Sequence, residues 1–238
     1  MTTEMVDWAL AVSMGSWLAG AGPQVSQDEA AQTVAELRSG ADRSTAYVHE
    51  FTGLDAGELT APVLVVDRAA WVRANAEGFA KLLSPVIDKV AERKGPPGPV
   101  TQAVGSRITG AEVGGLLGFM ASKVLGQFDP FYSGHEVAQL PPSASPAPDS
   151  AETPKPVAGR LLLIAPNVVH VERELGADPR DFRLWVCLHE ETHRVQFTAV
   201  PWMRDHLFAE FNAVWERADN LPSKAEIADP QAWISRVL

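Results

Sequence analysis

The stretch "DPRDFRLWVCLHEETHRVQF", residues 178–197, decides how the rest of the chain is read. Asp178 followed by Pro179 is a helix start: a side-chain acceptor at the cap and a proline at the first helical position, where its missing N–H is not needed. The apolar run "FRLWVCL" (182–188) then sets the helix against a core. Inside it, "HEETH" puts two histidines four residues apart with Glu190 directly after the first. Successive helical residues turn by about 100°, so His193 falls about 40° from His189, and Trp185 and Gln196 lie within about 40° of it. Glu190 sits at the edge of that face, about 100° round, whereas Glu191 at about 200° and Cys187 at about 160° point to the far side. The spacing therefore offers two imidazoles to one ion, His189 and His193, with Glu190 and not Glu191 as the carboxylate beside them.

Those residue types suit zinc. Neutral imidazoles bind it at about 2.0–2.1 Å, a catalytic site keeps one coordination position for water, and the ion lowers the pKa of that water toward about 7. Glu190 is then the expected general base, and Glu191→Gln is expected to behave like the parent chain. Two ligands do not complete a site. A metzincin would carry Gly and His where this chain has Gln196 and Ala199, so that subclass is excluded. A glutamate on a following helix is the other common solution, and "AEFNAVWERAD" (209–219) offers Glu210 as the best local candidate and Glu216 as a second. His170 and His206 are further donors of the right type, while Cys187 reads as inert packing. The competing reading is a half-buried helix whose histidines bond to neighbouring carboxylates.

Composition bounds the partners. Of 238 residues, 46% are apolar and 21% charged, the balance of a globular protein large enough for a real core. A net charge of −10 and a pI near 5.0 repel phosphate, which argues against nucleic acid and against an anionic membrane surface. The longest apolar candidate, "VGGLLGFMAS" (113–122), is far below the roughly 20 residues that span a bilayer. The N-terminus has no positive n-region, and the single cysteine fits a reducing compartment, so a cytoplasmic location is expected. "GAEVGG" (110–115) lacks the spacing of a phosphate-binding loop, and no cofactor other than zinc is expected.

Along the chain, a short helix around residues 6–20 is closed by Gly22-Pro23. Ser26 and Glu29 have capping-box spacing ahead of a second helix. "APVLVVD" (61–67) is a β-branched run, followed by a helix from Arg68 to Arg93 that stops at "KGPPGP". Residues 106–128 read as one glycine-rich helix, and "RLLLIA" (160–165) as a buried strand. Residues 140–157, "LPPSASPAPDSAETPKPV", are too rich in Pro, Ser and Ala to pack and are expected to be a mobile loop. A last helix starts at Pro201. The expectation is one domain over 1–238, mostly α with a few short strands (α+β). It comprises a helical N-terminal part (1–139), the Pro-rich loop and a motif-bearing part (158–238), with the motif on a buried helix.

Taken together, "VDWALA", "AELRSGA", "VVDRAAWVRAN", "VLGQFDPF", "GRLLLIAPNVV", the motif stretch and "PWMRDHL" span most of residues 6–207. In them the chain resembles the type 2 zincin-like metallopeptidases, more narrowly the actinobacterial branch associated with biosynthesis of the deazaflavin coenzyme. The resemblance implies a helix-dominated zincin-like fold, His189 and His193 as zinc ligands, and Glu190 as catalytic acid/base in a zinc-dependent hydrolase acting on peptide or protein. The coenzyme link is one of genomic association and implies no coenzyme site. The resemblance also implies a third ligand from a Glu-Gly-His segment beyond Leu238, so zinc is expected to bind this form weakly. The alternative function is a non-catalytic binding or accessory protein on the same fold.

Overall fold

A computed structural model describes residues 5–54, 61–94, 98–132 and 159–218. The expected mobile loop at 140–157 lies outside them. Contacts divide the chain into two compact units, Met1–Val200 and Pro201–Leu238.

In the first unit the element order is α1 (Trp8–Ala19), α2 (Gln27–Thr52), β1 (Val63–Val66), α3 (Arg68–Lys94), α4 (Pro99–Ala121), β2 (Gly126–Asp129), β3 (Arg160–Ile164), α5 (Ala165–Leu175) and α6 (Pro179–Ala199). The helix-dominated α+β class expected from the sequence is what the chain adopts. The sheet has the order β1-β3-β2, with β1 parallel and β2 antiparallel to the central strand. All five residues of β3 are buried, which explains its unbroken apolar reading: both of its faces are covered. Strand alternation then divides the core. Leu162 and Ile164 pack with Trp71, Val72 and Leu117 of α3 and α4, while Leu163 packs with Leu37, Val168, Val186 and Cys187 of α2, α5 and α6.

Ser26 caps α2 by accepting from the Glu29 backbone N–H, but the Glu29 carboxylate does not close a capping box. It binds Arg173 of α5 at 2.6 Å instead. A larger difference lies in residues 106–128, read as one helix. The helix starts earlier, at Pro99, and ends at Ala121, and Gly126–Asp129 forms the edge strand β2. The physical reason is a long-range cap. The buried Asn167 donates its amide to the carbonyls of Ala121 (2.7 Å) and Val124 (2.6 Å), and its oxygen accepts from Arg68 at 2.6 Å. Helix-end carbonyls satisfied from α5 let the chain leave the helix without a glycine or proline stop.

Within α4, glycines face α1 at every fourth position. A Cβ on Gly114 would lie 2.8 Å from the Ala11 carbonyl oxygen, and one on Gly118 would lie 2.7 Å from the Leu18 Cβ. Gly115, one residue round the helix, has nothing within 4 Å. Gly115→Ala should therefore stabilise the chain by up to about 1 kcal/mol through helix propensity. Gly114→Ala should destabilise it by about 1–3 kcal/mol through overpacking. Denaturant unfolding of the two variants checks the contrast.

The second unit contributes α7 (Pro201–Ala218), which starts at the expected proline. Among the described residues no helix is long and apolar enough to cross a membrane.

Candidate functional site

α6 begins as its sequence requires. Asp178 accepts from the backbone N–H groups of Arg180 and Asp181, and Pro179 occupies the first turn. Its rotation about its own axis is set by two buried guanidinium groups. Arg183 donates to both oxygens of Glu172 on α5 (2.6 and 2.9 Å) and to Glu36 on α2 (2.7 Å). Arg194 donates to both oxygens of Glu191 (2.6 and 2.7 Å), to the Ala61 carbonyl and to the Thr45 hydroxyl. Cys187 lies beneath Gly40 and donates its thiol to the Leu37 carbonyl at 3.4 Å. Burial pushes that thiol up to about 12, so it is neither a nucleophile nor a ready metal ligand.

With that side of α6 inward, His189 and His193 face out, both exposed. Their ring centres are 5.0 Å apart and edge to face. Two imidazole nitrogens about 2 Å from one tetrahedral ion would put the ring centres about 5 Å apart, and the pair has that spacing. A third is not assembled: among the described residues no group of three His, Cys, Asp or Glu side chains could hold a metal. Glu210 is exposed on α7. His170 pairs with Glu174 at 3.5 Å and His206 lies edge-on to Trp202 at 5.7 Å.

Glu190 is the chemically unusual residue. It is 7% exposed, and its side chain packs so closely on Gly126 of β2 that a Cβ there would overlap it. Among the described residues no hydrogen bond or ion pair reaches its carboxylate. Desolvation pushes its pKa from 4.5 to about 7. A group in that state exchanges a proton near neutral pH.

On the other flank, Leu188 and Thr192 line an open groove of about 660 Å³ with Tyr47, Val48, Glu50, Phe51 and Thr52 of α2. The two flanks thus differ: a buried carboxyl against β2 on one side, an apolar groove against α2 on the other.

Sequence reasoning set Glu190 beside the histidines and Glu191 on the far side, and the helix arranges them so. It erred in treating Glu191 as dispensable, because the far side is the core. Glu191 is fully buried and its carboxylate neutralises Arg194. The signal available was an arginine three residues on, placed by helical spacing on the same inward face. Gly126 was missed because its segment was read as helix, and the Trp185 stack on His189 (ring centres 5.7 Å, 26° apart) was visible only as a shared helical face.

Residues 6–212 match the family described as zincin-like metallopeptidase. A crystal structure from Chloroflexus aurantiacus described as "a putative hydrolase with a novel fold" superposes with a TM-score of 0.61 at 25% identity. The match covers 89% of this chain and 59% of that one, so this chain spans well under two thirds of the neighbour's length. No curated protein matches the sequence.

Two outcomes follow from the buried carboxylates. Glu191→Gln should cost about 3 kcal/mol of stability, because Arg194 keeps its buried charge and loses the neutralising partner; a melt within about 2 °C of the parent would overturn that role. For Glu190 in metal-free protein, the unfolded chain ionises near 4.5 and the folded chain near 7. Stability is therefore lost as pH rises through that window and is level above it. The difference in unfolding free energy between Glu190→Gln and the parent should move in favour of the variant by on the order of 3 kcal/mol from pH 4 to pH 8. Denaturant titrations at several pH values read it directly.

Proposed function

The chain belongs to the zincin-like metallopeptidase family, and from that premise we propose that it is a zinc-dependent hydrolase acting on peptide bonds. One observation carries the reading. A single helix face presents two histidine rings 5.0 Å apart, and a buried carboxyl without an ion-pair partner adjoins them. His189 and His193 are the residues that would hold zinc. When bound, zinc supplies Lewis acidity, polarising a carbonyl and acidifying water.

The chain's own residues supply the proton chemistry. Glu190, shielded from solvent by Gly126 and by its burial, accepts a proton at a carboxylate oxygen and returns it to the leaving nitrogen. A cation beside it would draw its pKa below the metal-free value and favour the form that accepts the proton. The α2–α6 groove, with Tyr47, Val48, Phe51 and Leu188, suits an apolar side chain of the substrate. We also assign the chain to the actinobacterial, deazaflavin-associated branch, supported by stretches such as "VVDRAAWVRAN" (65–75) and "GRLLLIAPNVV" (159–169). The third zinc ligand in this reading lies outside the described residues, and the reading places the protein in the cytoplasm.

His189→Ala and His193→Ala should each abolish stoichiometric zinc, measured by metal analysis after dialysis. Glu190→Gln should retain the metal and lose hydrolysis of a fluorogenic peptide library by about 100-fold or more. Stoichiometric zinc in the double histidine variant would overturn the ligand assignment.

A further inference from the structure

We propose that Trp185 is a positioning residue that holds the His189 imidazole ready for metal; this rests on the reading of His189 as a ligand. Trp185 is 55% exposed, so the core does not require it. Two rings nevertheless stack on it. Phe182 stacks on it with ring centres 5.9 Å apart and 25° between planes, and His189 stacks on it at 5.7 Å and 26°. His193 then meets His189 edge to face. The four rings form one ladder along α6, and its foot is fixed, because Phe182 packs against the buried cluster of Leu37, Val168, Val186 and Cys187. Order is carried outward from that cluster, through Trp185, to an imidazole that an exposed helix position would otherwise leave free to change rotamer.

What the stack supplies is preorganisation: a ligand ring already held loses less freedom when it coordinates.

The test compares parent, Trp185→Ala, Trp185→Phe and His189→Ala in the full 238-residue chain. Calorimetric titration of Zn2+ into metal-free protein should show Trp185→Ala weaker by roughly three- to ten-fold, with Trp185→Phe close to the parent because a stacking ring remains. In metal-free protein, the ring protons of His189, identified by their loss in His189→Ala, should carry an upfield ring-current shift that Trp185→Ala removes. The exposed position makes a folded Trp185→Ala protein the expected outcome, and its melting curve checks this. Unchanged zinc affinity in Trp185→Ala, or His189 ring signals that do not move, would overturn the positioning role and leave the ligand reading standing. Zinc binding that survives His189→Ala would instead overturn the ligand reading, and this inference with it.

Discussion

Arg194, neutralised by Glu191 through two hydrogen bonds on the inner side of α6, ties that helix to its neighbours, and the direction in which the helix's other side chains point follows from that tie. Both groups are charged and out of water. Because they lie on one helix, a rotation would carry the pair as a unit off its partners on neighbouring elements, leaving buried polar groups unsatisfied at a cost of about 1–3 kcal/mol each. The same guanidinium holds the Ala61 carbonyl ahead of β1 and the Thr45 hydroxyl of α2. Arg183, about three turns earlier, does the equivalent job toward α5 and α2. Two pins of this kind near opposite ends of one helix leave a single rotation about its axis. Replacing such pairs by apolar residues of similar volume is often neutral or stabilising, so their value here is orientation.

That orientation governs how the carboxyl of Glu190 is reached. With Glu191 inward, Glu190 is swung against β2, where the absence of a side chain at Gly126 leaves the room that its Cγ and carboxyl group occupy. Cys187 finds the matching gap at Gly40 of α2. The helix therefore lies between two glycine-lined contacts, close enough to β2 to strip water from one carboxyl. The histidines, one step further round, keep their solvent access. A bulkier residue at either contact would move the helix outward and rehydrate Glu190, restoring an ordinary carboxylate.

Much of this was legible in the chain. The caps Ser26 and Asp178, the proline starts, the buried run of β3 and the angular order of His189, Glu190 and Glu191 are local properties, fixed by spacing within one element. What escaped was set between elements. The end of α4 depends on Asn167, more than 40 residues away, whose amide caps carbonyls that no local residue satisfies. Glu191 looked free because helical geometry gives a side and not a neighbour. Gly126 looked like one more glycine of a helix because nothing in its own segment announces that a carboxyl will pack on it.

The contrast between Glu190 and the other buried acids bears most on function. Among the described residues the buried arginines are Arg160, Arg183 and Arg194, and each is matched: Arg160 with Asp129, Arg183 with Glu172, Arg194 with Glu191. The fold thus has a consistent way of burying a carboxylate, which is to place a guanidinium on it. Glu190 departs from that rule while being almost as buried. An unpaired buried carboxyl is a cost that folding alone gives no reason to keep, since an apolar residue of the same size would fit better. In the proposed function, its position one residue from an exposed histidine supplies the reason. A cation there would complete the pattern the other buried acids already follow, and would do so beside two exposed histidines.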